Sequence, residues 1–415
     1  MKRAVVLFSV VVSAVLLAVA EPSVSGVTVR QNWPWNGNVD ILYTLSADEP
    51  CDIEVTATWQ GQSAPVMLGC ISGDIVNVNA GNRHIVWDPV AAGVQLPITD
   101  FRVTVTPATL ESRKYLMLNL YNGKVTYSAT EPDWKNRTAE FLGTNMVFRR
   151  ISATTFKFGY PRSQVEAGFA NNRSLERNAT LSSDYYMAIF PITEAQCRIM
   201  SKATVSDEGY FRAPRGVSYD DLRGTVGNGV CWPETFHKVA EGSVVAVMRD
   251  IARNSIPSGW TVDLPTAAQW ENAARAGENG RLCYVEGSEF GATHSEMTNI
   301  VMNAGQWRPG EKLVPQIGNY DPNPWGVYDT IGCVYEFVLD WRLPKGPCNT
   351  TDVIDPTGIG TPAEGSVRQV RGGRCTADCG MINCLPGNSG QGYESSTDRA
   401  ARLCIHLKPI TKIAD

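Results

Sequence analysis

Hydrophobic and polar residues alternate through the amino-terminal part of this chain. Val39, Ile41 and Tyr43 take every second position, as do Ile53, Val55 and Ala57, and later Val103 and Val105. A period of two places such side chains on one face of a strand. Residues 21–107 therefore predict a small all-β sandwich of the immunoglobulin or fibronectin kind. Pro and Gly punctuate it at Trp33-Pro34-Trp35-Asn36-Gly37, Gly61, Gly69, Gly81 and Gly93. A carbohydrate- or surface-binding module is one reading of this region. No site constellation stands out in it, so a spacer that displays the next domain is the favoured one. Residues 108–143 read as a connector containing a strand-like run, Tyr115 to Leu120.

Beyond residue 144 the period changes. Apolar residues run into Thr193, which can cap a helix, and Gln196 three positions on completes a capping box. The clearest helix is predicted within Leu264–Gly277. Thr266 is its N-cap, Gln269 closes the box, Glu271 and Arg275 form an i,i+4 pair, and Gly277 serves as the stop. Trp270, Ala273 and Ala274 would form its inward face.

The densest run of aromatic and acidic residues is Asn323 to Arg342. It opens on turn residues and closes on Tyr335, Glu336, Phe337, Asp340 and Trp341. Glu336 is a carboxylate in apolar company. It calls for a hydrogen-bond donor, an arginine or a metal ion.

Composition narrows the function. Met1 to Ala20 has two basic residues, an apolar run and a small-x-small end at Ala18-Val19-Ala20, the pattern of a secretory signal peptide. No later stretch is apolar enough to span a bilayer. The expected location is secreted, periplasmic or at the cell surface. A net charge of −5 with no basic stripe argues against nucleic acid as a partner. Eleven cysteines in an exported chain point to disulfides with at least one thiol left over. Cys51 and Cys70 are the only ones in the sandwich and are expected to pair.

Ordered blocks between residues 145 and 410 resemble the formylglycine-generating enzyme (sulfatase-modifying factor) family. They are Val147–Gly159, which is similar to the family's opening strand pair; Tyr185–Gln196; Arg215–Leu222; Leu264–Gly277; and Gly326–Phe337. Val367–Cys375 followed by Ala401–Cys404 resembles its closing R-V-x-R-G-G-S-W and G-F-R text. The resemblance implies an α+β fold, a C-type-lectin-like sulfatase-modifying-factor domain over residues 144–415. There is little regular structure in such a domain, and aromatic packing orders its core.

The resemblance also implies chemistry: oxidation of a sulfatase cysteine to formylglycine with O2 and copper(I) held by a C-x4-C thiolate pair. Soft thiolates suit copper(I). Cys379 and Cys384 have that separation. They begin six residues after Gly373, about two later than in the family; Arg374 replaces a serine, Cys375 intrudes, and Leu385-Pro386-Gly387 replace arginines. Structural disulfides among Cys375, Cys379, Cys384 and Cys404 are the competing reading. The related iron-dependent branch needs a facial set of histidines, and His84, His237, His294 and His406 contain no pair at helical ligand spacing. The family further implies calcium at Ile331, Gly332, Val334 and Glu336, and a second calcium beginning at Asn299 and Ile300. Two functions follow: a diverged, non-catalytic domain that binds a protein or glycan ligand, or a copper-dependent oxidase with a sulfatase partner.

Overall fold

The computed structural model describes residues 20–59, 62–64, 68–159, 175–201, 211–213, 217–278, 316–331, 333–342, 351–358, 367–372 and 399–408. The proposed signal peptide, apart from Ala20, lies outside them. Among the described residues no helix is long and apolar enough to cross a membrane.

The alternation read at the amino terminus folds into two sheets around one apolar core. The strands are β1 (Ser23–Gln31), β2 (Val39–Ser46), β3 (Cys51–Trp59), β4 (Gln62–Ala64), β5 (Ile71–Gly73), β6 (Gly81–Trp87) and β7 (Phe101–Thr109). One sheet runs β1-β2-β6-β5, the other β4-β3-β7. The in-phase residues Val39, Ile41, Tyr43, Ile53, Val55 and Ala57 are all buried, as the period of two requires.

Cys51 and Cys70 do not pair; both are free thiols. Register explains why. Cys51 bridges Val78, and Ile53 N–H donates to Ile75, so the chain after Cys70 runs alongside β3 towards Cys51. Cys70 sits at the far end of that segment, next to the Ile71–Trp87 pairing, and the Cys51 thiol donates to Glu49 O at 3.4 Å. Bridging needs Cα atoms within about 7 Å.

The remaining strands are β8 (Tyr115–Asn119), β9 (Val125–Ser128), β10 (Asn145–Ile151), β11 (Thr154–Phe158), β12 (Arg177–Leu181), β13 (Tyr185–Ala188), β14 (Thr261–Asp263), β15 (Tyr335–Trp341), β16 (Val353–Ile354), β17 (Arg368–Arg371), β18 (Arg399–Ala400) and β19 (Cys404–His406). The helices are α1 (Glu194–Ser201), α2 (Tyr219–Arg223), α3 (Val244–Ala252) and α4 (Ala267–Arg275). The central sheet is β14-β19-β13-β10-β8-β9. The segment read as a connector thus supplies two of its strands. The "opening strand pair" does not pair with itself: β10 lies between β8 and β13, while β11 pairs β12 in a separate sheet with β16. Arg150 of β10 ties the amino-terminal sandwich to the central sheet, since its guanidinium reaches Asp52 of β3 at 2.7 Å and Asp184 at 2.9 Å.

Both predicted capping boxes form. Thr193 and Gln196 exchange bonds of 3.1 Å at α1, and Thr266 and Gln269 exchange bonds of 2.9 and 3.2 Å at α4. Two details of α4 differ from expectation. Ala276, not Gly277, is the left-handed C-cap at φ 50°, and every residue from Ala267 to Arg275 is buried. The helix has no solvent face because β11, β12, β15 and β17 all pack against it.

Candidate functional site

Strand β15 is the centre of a small sheet, β17-β15-β18. Glu336, its second residue, lies opposite Arg371 of β17 and Ala400 of β18. Those two strands bound the segment 373–398, which carries Cys375, Cys379 and Cys384 and lies outside the described residues. Arg371 and Ala400, which flank that segment in sequence, thus both lie opposite Glu336.

The Glu336 carboxylate is fully buried, and both of its oxygens accept hydrogen bonds. Oε2 accepts from Trp270 Nε1 at 2.7 Å and Arg402 Nε at 2.6 Å, and Oε1 accepts from Arg402 Nη2 at 2.7 Å. The donors are side chains from α4 and from Arg402, two residues before β19, not backbone groups of the same turn. Arg402 also donates to the carbonyls of Ala188 at 3.1 Å, Ile189 at 3.3 Å and Tyr328 at 2.9 Å. One guanidinium thus ties β13, the Tyr328 turn and β15 together.

The neighbouring residue on α4 holds the other anchor. Glu271 Oε2 accepts from Arg371 Nη1 at 2.8 Å, while Oε1 accepts from Arg275 at 2.8 and 2.9 Å and from Gly159 N at 3.0 Å. Trp270 and Glu271, side by side on the best-predicted helix, hold β15 through Glu336 and β17 through Arg371. Gly372 closes the arrangement. At φ +89° only glycine is comfortable, and a Cβ there would stand 3.3 to 3.4 Å from Thr330 O, Val334 O and the Trp270 ring.

Ile331 and Val334 are buried on the same turn. Gly332, Asn299, Ile300, Cys379 and Cys384 lie outside the described residues. A calcium shell takes about six to eight oxygens and gains from uncompensated carboxylate charge. Among the described residues the Glu336 charge is balanced by Arg402, and Oε1 accepts one hydrogen bond. Cys404 does not join a disulfide; it is a free thiol buried on β19, and burial pushes its pKa well up. An inert, protonated structural cysteine is the consequence.

Residues given no role from sequence complete the buried polar frame. Asp329, at φ 55°, accepts from Gly318 N at 2.6 Å, and burial raises its carboxyl to about 7. Asp340 accepts from Ala267 N at 2.7 Å at the start of α4, and burial raises it to about 6. Asp263 of β14 collects Arg223 at 2.7 and 3.0 Å, Arg249 at 3.1 Å and His237 at 2.8 Å. The Arg223 guanidinium, with the hydrogen bond to His237 and the charge of Arg249, outweighs burial and holds its carboxyl far below the ordinary range. An acid inside an apolar run, as in Thr-Val-Asp-Leu-Pro, is the one sequence signal that could have marked it.

Buried ion pairs lock the described helices and strands of this mixed domain around β15. Residues 155–406, more than half of the chain, match the family model described as sulfatase-modifying factor enzyme 1-like domain, and the chain belongs to that family. It is similar to the formylglycine-generating enzyme of Streptomyces coelicolor, 35% identical over 114 residues covering 26% of this chain and 35% of that protein. The mouse formylglycine-generating enzyme is 29% identical over 23% of this chain and 29% of its own length. The serine/threonine-protein kinase pkn1 of Chlamydia pneumoniae is 33% identical over 26% of this chain and 15% of its own. The matched stretch thus spans only about a third or less of each of these relatives. No solved structure matches the chain significantly.

Proposed function

We propose that this chain is an exported, diverged member of the family, whose carboxy-terminal domain binds a protein or glycan ligand through the loops around β15 and does not oxidise cysteine. The observation that carries this reading is a contrast. The buried frame around β15 is formed by Glu336, Arg402, Trp270, Glu271 and Arg371. Within segment 373–398 the reactive text has changed, with the cysteine pair displaced, Arg374 in place of serine and Cys375 inserted. Fold alone does not confer activity, and variable loops on a rigid core suit binding. The amino-terminal module is an immunoglobulin-like sandwich on this reading, supported by the order β1-β2-β6-β5 of its larger sheet.

The alternative is a copper-dependent oxidase acting on a sulfatase cysteine, favoured by the C-x4-C spacing of Cys379 and Cys384. Alkylation and peptide mapping of unreduced full-length protein separates the two. Binding predicts Cys379 or Cys384 in a disulfide, with Cys51, Cys70 and Cys404 recovered as free thiols. Cys379 and Cys384 both recovered free, and both protected from alkylation by copper(I), would favour the oxidase.

A further inference from the structure

The turn between β1 and β2 carries a feature that neither reading of the carboxy-terminal domain uses. Trp35 is 86% exposed and Trp33 49% exposed. Indoles are expensive to leave in water, and Trp35 packs on almost nothing. The turn that presents them is nonetheless firmly built. Trp35 N and Asn36 N donate to Asn32 O at 2.9 and 3.2 Å, and Asn32 N donates to Asn38 O at 2.9 Å. Asn32 Nδ2 donates to Asp40 at 2.9 Å, and Asn38 N to Asn36 Oδ1 at 2.8 Å. Gly37 is wedged against Val90 and Leu96, where a Cβ would stand 3.2 and 3.3 Å from their methyl groups. A well-ordered turn that holds out an unburied tryptophan is organised for an outside partner.

We propose that this turn is a binding site for a neutral, pyranose-based glycan. Residues 31–39 and 89–99, at this tip of the sandwich, contain no charged side chain; of the flanking Arg30, Asp40, Asp88 and Asp100, Asp40 is engaged by Asn32. Arg30 alone makes no basic cluster of the kind that holds an anionic lipid surface, a polyanion or an acidic peptide. The groups available are indole faces and asparagine amides. The C–H hydrogens on one face of a sugar ring carry partial positive charge and meet the negative face of an indole, as an aromatic edge does. The exposed Asn36 side chain, whose oxygen is used by Asn38, offers amide N–H groups to sugar hydroxyls. A preorganised turn loses little entropy on binding, which matters for the few contacts of one sugar face.

The test uses the full chain and three probes: cellohexaose, chitohexaose and mannan, with phosphatidylcholine vesicles as a fourth arm. Binding is read by intrinsic tryptophan fluorescence and by retardation in affinity electrophoresis. At least one glycan should bind, Trp35→Ala should weaken it at least about tenfold, and Trp35→Tyr should restore most of it. The melting temperature of Trp35→Ala should match the parent, since the residue is exposed. Failure of all three glycans, binding indifferent to Trp35→Ala, or partition to vesicles in place of glycan would each overturn the proposal. Glycan binding that survives Trp35→Ala would point instead to the carboxy-terminal loops, so the two proposals fail separately.

Discussion

Glu336→Ala lowers the melting temperature of the carboxy-terminal domain by roughly 10 °C. Breaking a buried ion pair by removing one partner costs about 3–5 kcal/mol, because the other charge stays buried without compensation. For a domain of this size each kcal/mol moves the transition by about 2–4 °C. Arg402 would lose the bidentate contact at 2.6 and 2.7 Å, and Trp270 Nε1 its acceptor. Arg402→Lys should be nearly as harmful, because an ammonium cannot span Glu336, Tyr328 O and the Ala188–Ile189 carbonyls together. A calcium chelator should leave the parent's melting temperature where it was. Thermal denaturation reads all three. A chelator effect as large as that of Glu336→Ala would mean that calcium, not Arg402, satisfies the carboxylate.

Asp263→Ala is the second large expectation. It strips one carboxylate from Arg223, Arg249 and His237 at once, leaving two guanidiniums competing in a buried space. The cost is again about 3–5 kcal/mol or more, seen as loss of soluble folded protein or a drop of roughly 10 °C. The same cluster sets an acid limit. Asp263 has a depressed folded pKa, so its contribution is complete above the unfolded value of about 3.9 and disappears as pH falls below it. His406 acts earlier. Burial, aided by the nearby His237, holds it near 3, against about 6.5 when unfolded, so the unfolded chain takes up a proton that the folded one refuses. Stability should therefore decline from about pH 6.5 downward, and His406→Gln should flatten that slope. A melting temperature indifferent to Asp263→Ala, or an unchanged slope in His406→Gln, would contradict this picture.

What could be read from the sequence was local. The capping boxes at Thr193 and Thr266, the Glu271–Arg275 pair and the inward faces of β2 and β3 depend on residues within a few positions of each other. The need of Glu336 for a partner was also legible, since a lone carboxylate among aromatics must be satisfied. Its partner was not: Arg402 is 66 positions away, and nothing in Ala-Ala-Arg-Leu-Cys says which acid it will meet. Cys51 and Cys70 failed for a related reason. Cysteine counting gives candidates, but strand register decides distance, and the Ile53–Ile75 contact places the thiols at opposite ends of one segment. Trp33 and Trp35 read as turn punctuation because exposure is a property of the fold and not of the letters.

The central claim is that the family scaffold is retained while the chemistry of segment 373–398 has been lost. Its most direct test is incubation of folded full-length protein with copper(I), a reductant, O2 and a cysteine-containing sulfatase peptide, followed by mass spectrometry of the peptide. A shift of about 1 Å from productive geometry can cost two orders of magnitude in rate, and the displaced cysteine pair changes the region that sets it. The account predicts that the cysteine is recovered unchanged, even if copper binds. Conversion to formylglycine that disappears in both Cys379→Ser and Cys384→Ser would contradict it.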